Sequence, residues 1–397
     1  MIKPAIVAVG YNRPESMKRL LDSIGNAHYD YNDITLIISI DECDKSNEVE
    51  TIARKMIWKY GCKEIRRFPV RQGLRKHIIQ CGDLSEKYGA VIILEDDLYV
   101  SPDFYSYVCQ AQSFYDNNDR IAGISLYSNS VNVFSHDRFV PVNNGYDNYF
   151  GQYIITWGES WTFKQWSKYK TWYLEHEDNL PKINYEMPQE ISTWTRSWGK
   201  YFISYMVEKD LFYVMPYTAL TTNFSEQGEH KKGSSYETAY QVPIMMGHKK
   251  YTFAEFENGI KYDSFFERIM DDELAPGVSS KDVCFDLYGT RIKALNKKYL
   301  LTCKKYPFHV VKTFGLRMRP IDLNVQNNIE GDGITLYEMP YDSFLADPNK
   351  RKNATELVLA RTIYEVQGLR RRQLTPYIRN EYASAIKRKF ANIFKKK

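Results

Sequence analysis

The sequence predicts an α/β fold, a mostly parallel sheet with helices on both faces, followed by a C-terminal accessory region. Three observations carry this. Short, near-continuous apolar runs alternate with segments of helical periodicity over the first hundred residues, as in a sheet buried on both faces. Polar side chains gather just after the apolar runs, where such sheets bind ligands. The chain has 397 residues, enough for a large core with an appendage or for two domains.

The elements follow in order. PAIVAVG (4–10) reads as a buried strand, and YNRP as a loop whose Pro14 suits the first turn of a helix. Met17, Leu20, Leu21 and Ile24 then share one helical face. ITLIISID (34–41) is a second strand ending in Asp41. Ser46 is expected to cap a helix that runs through VETIARKMIWKYG. KEIRRFPV is a weaker third strand, residues 73–88 a third helix, and AVIIL (90–94) a fourth strand. SPDFYSY then starts a helix that Ser101 would cap.

The strand ends collect chemistry. Tyr11, Asn12 and Arg13 follow the first, Asp41, Glu42 and Asp44 the second, Arg71, Gly73, Arg75 and His77 the third. The fourth runs straight into Glu95, Asp96 and Asp97. An acidic cluster suits a hard divalent cation, Mg²⁺ or Mn²⁺, which would neutralise a diphosphate. The alternative is that these acids only begin a turn. No glycine-rich phosphate loop of the GxGxxG or GxxxxGK[ST] kind follows the first strand.

VIILEDDLYVSPDFYSY closely resembles the metal-binding segment of N-acetylglucosaminyltransferase I. AVGYNRPESMKRLLDSI is similar to the first strand–helix unit of many GT-A glycosyltransferases. The resemblance covers residues 4–107 best and is patchy to about 230; beyond that it is to bacterial surface-polysaccharide transferases. It implies a Rossmann-like GT-A fold using a nucleotide sugar. Asp97 would ligate the metal, and Glu95 and Asp96 would bond the ribose or base. Arg13 and the Tyr11–Asn12 backbone would flank the nucleotide. Asp41 would accept from a uracil imide, favouring UDP, unless it is a turn former. Arg75 or His77 would face the diphosphate, though His77 suits packing equally. The implied organisation is a catalytic domain over 1–240, with a nucleotide-binding half to 110 and an acceptor half over 111–240. An accessory region (241–345) and a helical basic tail (346–397) follow.

Residues 146–205 hold 17 aromatics, and six of the seven tryptophans lie between Trp157 and Trp198. Most belong in a core. Trp157 and Trp198, at element boundaries, are expected to line a sugar or acceptor pocket, because sugars stack on aromatic faces. An inverting transferase needs a base for the acceptor hydroxyl. The resemblance places it at Thr195–Gly199, where this chain has no carboxylate; Glu159, in the TWGES turn, and Glu190 are the candidates, Glu159 first. A retaining mechanism without a protein base is the alternative. The polar stretch 218–237 resembles a mobile loop of such enzymes, in which His230 is a candidate second metal ligand and Lys231 and Lys232 could meet the diphosphate.

Composition narrows the partners. The net charge of +5 is concentrated in residues 370–397, which carry ten Lys/Arg and one acid, leaving 44 basic and 48 acidic groups elsewhere. That argues against a nucleic-acid footprint and for one local anionic contact. Ile378, Tyr382, Ile386 and Phe390 recur at about four-residue spacing among lysines and arginines, the pattern of a helix lying on an anionic membrane surface. Apolar runs are about five residues, too short to span a bilayer or to form a signal peptide, and six scattered cysteines read as reduced thiols. The expected setting is cytoplasmic, peripheral on the inner membrane face. The expected reaction is metal-dependent transfer of a sugar to a glycan or lipid-linked glycan, in surface polysaccharide biosynthesis. The alternatives are a sugar nucleotidyltransferase and a non-catalytic glycan-binding protein on the same scaffold.

Overall fold

The computed structural model describes residues 2–180, 185–195, 197–224 and 240–345, together with Thr375, Arg379, Tyr382, Ala383 and Ile386. The chain divides into two compact units, Met1–Ala346 and Asp347–Lys397. Of the second unit only those five residues are described; each is helical and exposed. His230, Glu226, Glu229, Lys231 and Lys232 lie outside the described residues, as does most of the basic tail.

The first unit opens as the sequence predicts. β1 (Ala5–Gly10), β2 (Leu36–Ile40), β3 (Lys63–Arg67) and β4 (Ala90–Glu95) run parallel, in the spatial order β4-β1-β2-β3. Between them lie α1 (Pro14–Gly25), α2 (Ser46–Lys55), α3 (Leu74–Gly82) and the single turn α4 (Ser85–Tyr88). Pro14 stands in the first turn of α1, and Met17, Leu20, Leu21 and Ile24 are buried beneath it.

Two helices differ from expectation. α2 stops at Lys55, six residues before Gly61, because Met56 turns extended. The Lys63 ammonium then donates to the freed carbonyls of Ala53, Arg54 and Met56, which would otherwise lack partners. Trp58 leaves the helix and donates its indole N–H to the Ile34 carbonyl, 2.8 Å away. The helix expected over 73–88 breaks at Asp83 into α3 and α4.

After β4 the chain forms β5 (Leu98–Val100), then α5 (Phe104–Tyr115) and β6 (Ile121–Ser125). Ser101 accepts from the Asp103 N–H ahead of α5. β7 (Asn148–Gly151) and β8 (Glu159–Thr162) run against the parallel strands, and β8 inserts between β4 and β6. α6 (Phe163–His176) starts on a reciprocal cap between Thr162 and Gln165. The one-turn α7 (Glu190–Thr193) and α8 (Gly199–Lys209) lead into β9 (Phe212–Pro216), parallel to β6. β10 (Thr221–Asn223) pairs antiparallel with β5.

β11 (Lys261–Tyr262) pairs with β7 and β12 (Arg268–Ile269) with β11, extending the main sheet to ten strands. A hairpin of β13 (Glu273–Ala275) and β14 (Val278–Ser279) leads to a separate four-stranded sheet. Its strands are β15 (Val283–Asp286), β16 (Tyr299–Thr302), β17 (His309–Phe314) and β18 (Ile334–Glu338), with α9 (Leu323–Gln326) before the last.

Helices cover both faces of the main sheet. α1, α2 and α5 bury one face, around Ile6, Ile38, Ile92 and Leu94. α3, α4, α6 and α8 bury the other. There Trp161, Trp166, Trp198, Phe202 and Tyr213 pack ring against ring, and Trp161 donates its N–H to the Tyr213 hydroxyl. Most of the aromatic middle of the chain is this core. Among the described residues no helix is long and apolar enough to cross a membrane, and all six cysteines are free thiols.

Candidate active site

The site is built from strand ends. β1 and β4 are in register with Val9 opposite Glu95, so the loop Tyr11–Arg13 lies beside the acidic triplet. The Tyr11 N–H donates to Asp96. The Arg13 guanidinium spans two acids: Nη2 donates to Asp96 Oδ1, and Nη1 to Asp97 Oδ2 at 3.1 Å. Charge-assisted pairs of this kind are strong when part-buried, and here Asp96 is only 3% exposed.

One cation does not balance these acids. Burial pushes Asp96 up to about 6 although Arg13 opposes the rise. Burial, then the neighbouring Asp97, pushes Glu95 up to about 8. For Arg13 itself burial disfavours the charge, but Asp96 and Asp97 more than offset this and its pKa is raised. Asp96 Oδ2 and Asp97 Oδ1 are buried without a hydrogen-bond partner among the described residues. Buried carboxylate oxygens left open in this way are costly unless a ligand satisfies them.

These atoms fit a divalent cation. Among the described residues no three His, Cys, Asp or Glu side chains gather closely enough to hold a metal by themselves. Mg²⁺ and Mn²⁺ sites that handle phosphates need no such cage: one or two carboxylates hold the ion, and phosphate and water complete its shell. Asp97, with Asp96 beside it, is that kind of donor set.

The pairing of β5 with β10, which the sequence did not predict, braces the triplet. It sets Leu98 opposite Asn223, and the Phe224 N–H donates to the Asp97 carbonyl at 3.0 Å. Across the rim, Gly158 turns the chain into β8 with φ +108°. A Cβ there would meet Thr221 at 3.0 Å and Leu126 at 3.1 Å, so both the conformation and the space call for glycine.

Several expected site residues have other work. Asp41 is 3% exposed and accepts from the backbone N–H groups of Glu42, Gln72 and Gly73. It fastens the end of β2 to the loop before α3, where Gly73 has φ +77°. His77 is buried, bonded through Nε2 to the Ser39 hydroxyl at 2.7 Å. Burial lowers its pKa to about 4, so it is a packed neutral histidine, not a cation facing a diphosphate. Trp198 is 1% exposed against Trp161 and Phe202 and is core, not pocket lining. Trp157 stays half-buried, edge-on to Tyr127 at 4.8 Å. Arg75 reaches α8, where Nη1 donates to the Tyr201 hydroxyl at 2.5 Å.

Glu159 stands opposite Ile93 of β4, and its Oε1 has no partner among the described residues. It is 1% exposed. Burial, then the charge of Glu95, raises its pKa well above the carboxylate range. A general base must be ionised and reachable by the acceptor; at Glu159 burial opposes the first and hinders the second. Glu190 is exposed, at the start of α7.

Residues 77–169, about a quarter of the chain, match the model of the GNT-I family. No curated protein matches. Among solved structures, TarS 1-349 of S. aureus aligns at 12% identity and TM-score 0.34, over 55% of this chain and 59% of that one. Its complex with UDP-GlcNAc aligns at 11% identity and TM-score 0.35, over 57% and 60%. The mannosyltransferase PcManGT from Pyrobaculum calidifontis, in complex with GDP-Man and Mn2+, aligns at 10% identity and TM-score 0.30, over 46% and 49%. This chain therefore covers less than two thirds of the solved chains it aligns with. The segment that resembles the GNT-I family carries the acidic triplet with its strand and following helix, within the mixed α/β sheet.

Proposed function

We propose that this glycosyltransferase moves a sugar from a nucleotide diphosphate, UDP first among them, to a hydroxyl of a glycan or lipid-linked glycan. One observation carries the metal dependence and the donor site: the open, buried oxygens of Asp96 and Asp97 at the end of β4, beside Arg13. Asp97 would hold Mn²⁺ or Mg²⁺, and the ion would supply positive charge to a leaving diphosphate. Arg13 would flank the same diphosphate, and Tyr11 and Asn12 would border the nucleotide. Transfer with inversion is the reading that the family resemblance favours. The test is a thermal-shift panel of UDP, GDP and their sugars, with and without Mn²⁺. A ligand that binds the native state raises its melting temperature by mass action. The expected result is a shift that needs both nucleotide and metal; no shift with any nucleotide would remove the proposal.

Glu190 is the proposed base, because it is the accessible one of the two carboxylates. Burial sets the folded pKa of Glu159 above its unfolded value near 4.5. The native state then keeps a proton that the unfolded chain releases, and stability falls as pH rises above that value. Glu159→Gln removes this loss. The variant is expected to gain on wild type in melting temperature as pH rises above about 4.5, with turnover changed less than about threefold. Glu190→Gln is expected to lose about 10²–10⁴-fold in turnover. The reverse pattern would make Glu159 the base.

The amphipathic tail fits a role on anionic membrane, at the cytoplasmic face where lipid-linked surface polysaccharide would be extended. Each basic residue near such a surface contributes about 1 kcal/mol. Sedimentation with phosphatidylglycerol vesicles should fall at least tenfold on deleting 376–397; unchanged binding would refute the membrane role.

A further inference from the structure

We propose that Arg75, Lys200 and Tyr201 form a subsite for an anionic group of the acceptor, a phosphate or a carboxylate, apart from the donor diphosphate. This rests on the glycosyltransferase reading and names the acceptor's chemistry. Arg75 is in the first turn of α3, and Lys200 and Tyr201 are in the first turn of α8. The Arg75 guanidinium and the Lys200 ammonium each sit 5.2 Å from the centre of the Tyr201 ring. The Tyr201 hydroxyl accepts from Arg75 and donates to the Glu177 carbonyl, 3.0 Å away.

Two half-buried cations therefore share one ring, and among the described residues neither has an ion-pair partner. The carboxylate of Glu177 bonds the Tyr173 hydroxyl instead. Arg75 uses one of its five N–H donors, and Lys200 uses none in a hydrogen bond. Behind them the hydroxyl of Tyr169, fully buried, lacks a partner among the described residues and feels the charge of Arg75. By contrast, Arg13 and Arg67, also part-buried near strand ends, are each paired with two carboxylates. An oxyanion between Arg75 and Lys200 would satisfy the open donors and relieve the repulsion between them, and Arg forks suit phosphate and carboxylate alike.

The spot stands on elements other than those that carry the donor site. At the donor site the charge of Arg13 opposes the rise of Glu95 and Asp96. Lys200 also stands on α8, beyond β8 in sequence, whereas Arg13, Asp96 and Asp97 all follow β1 and β4. Titration beside saturating UDP decides whether an anion held there belongs to a second molecule.

The experiment is calorimetric titration of the full chain, first with UDP and Mg²⁺. Glycerol 3-phosphate, glucuronate and neutral glycerol are then titrated into the protein with and without saturating UDP. Wild type should bind at least one of the two anions beside UDP, and not glycerol; the tighter one names the acceptor's group. Lys200→Gln and Arg75→Gln should each weaken that binding at least fivefold, while UDP affinity changes less than twofold in Lys200→Gln. Lys200 holds nothing else together by hydrogen bond, so its variant reports even if the Arg75 variant fails to fold. Anions that compete with UDP would assign the cations to the donor diphosphate and overturn the proposal, as would anion binding that survives both substitutions or is absent. Failure of UDP to bind would count against the donor reading alone, since the arms without UDP still decide whether Arg75 and Lys200 hold an anion.

Discussion

Asp97→Ala is expected to remove the metal-dependent nucleotide shift and to cut turnover by about 10²–10³-fold or more, with the fold intact. Asp97 is the more accessible acid of the Arg13 pair, at 18% against 4% for the Asp96 side chain. Its Oδ1 is open and its backbone is fixed by the Phe224 N–H, so truncation would remove the proposed ligand without loosening the loop. Charge stabilisation at a leaving diphosphate is the strongest rate effect such a site can supply. Turnover and thermal shift, read on the same preparation, separate the alternatives. A variant that binds and turns over like wild type would mean that Asp97 only turns the chain between β4 and β5. A variant that loses the shift and the fold together would mean that Asp97 is structural. Loss of shift and turnover with wild-type melting is the result that the geometry predicts.

Much of this half of the molecule is legible in the sequence. Strands buried on both faces must be apolar at every position, so β1, β2 and β4 stand out, and three acids closing such a strand can only lie at its rim. The α1 face is legible for the same reason, since burial at 3.6-residue spacing leaves its mark on composition. What is not legible depends on partners distant in sequence. Nothing in LYV or TTN tells that Leu98–Val100 will pair with Thr221–Asn223. Asp41 and His77 look like ligands because sequence gives a polar residue's position but not whether its neighbours already satisfy it; three backbone donors and one serine do. Trp198 looks like a pocket residue at an element boundary, and the stack on Trp161 makes it core. The base is obscure for a further reason: the carboxylate in the more suggestive motif, Glu159, is the one that the sheet encloses.

Arg13→Met should be the most destabilising change at the site. Arg13 is the one cation hydrogen-bonded to the triplet among the described residues, and its side chain is 19% exposed. Replacing it keeps the bulk but leaves Asp96 and Asp97 facing each other beneath the surface. Removing one partner of a buried pair costs about 3–5 kcal/mol, and the partial exposure of Arg13 and Asp97 puts the expectation near the lower value, about 3 kcal/mol. In a unit of this size that lowers the melting temperature by roughly 3–6 °C. The pH dependence follows from the charges. Arg13 holds the folded pKa of Asp96 below the value that burial alone would give, so its contribution is present while the acids are ionised and fades as pH falls through about 6. The gap between variant and wild type should therefore be wider at about pH 8 than at about pH 5. Millimolar Mn²⁺ should restore more melting temperature to the variant than to wild type, because a divalent ion supplies the charge that the guanidinium no longer does. Equal melting of the two proteins at both pH values would show that water already solvates the triplet, and the argument that these acids await a cation would fail with it.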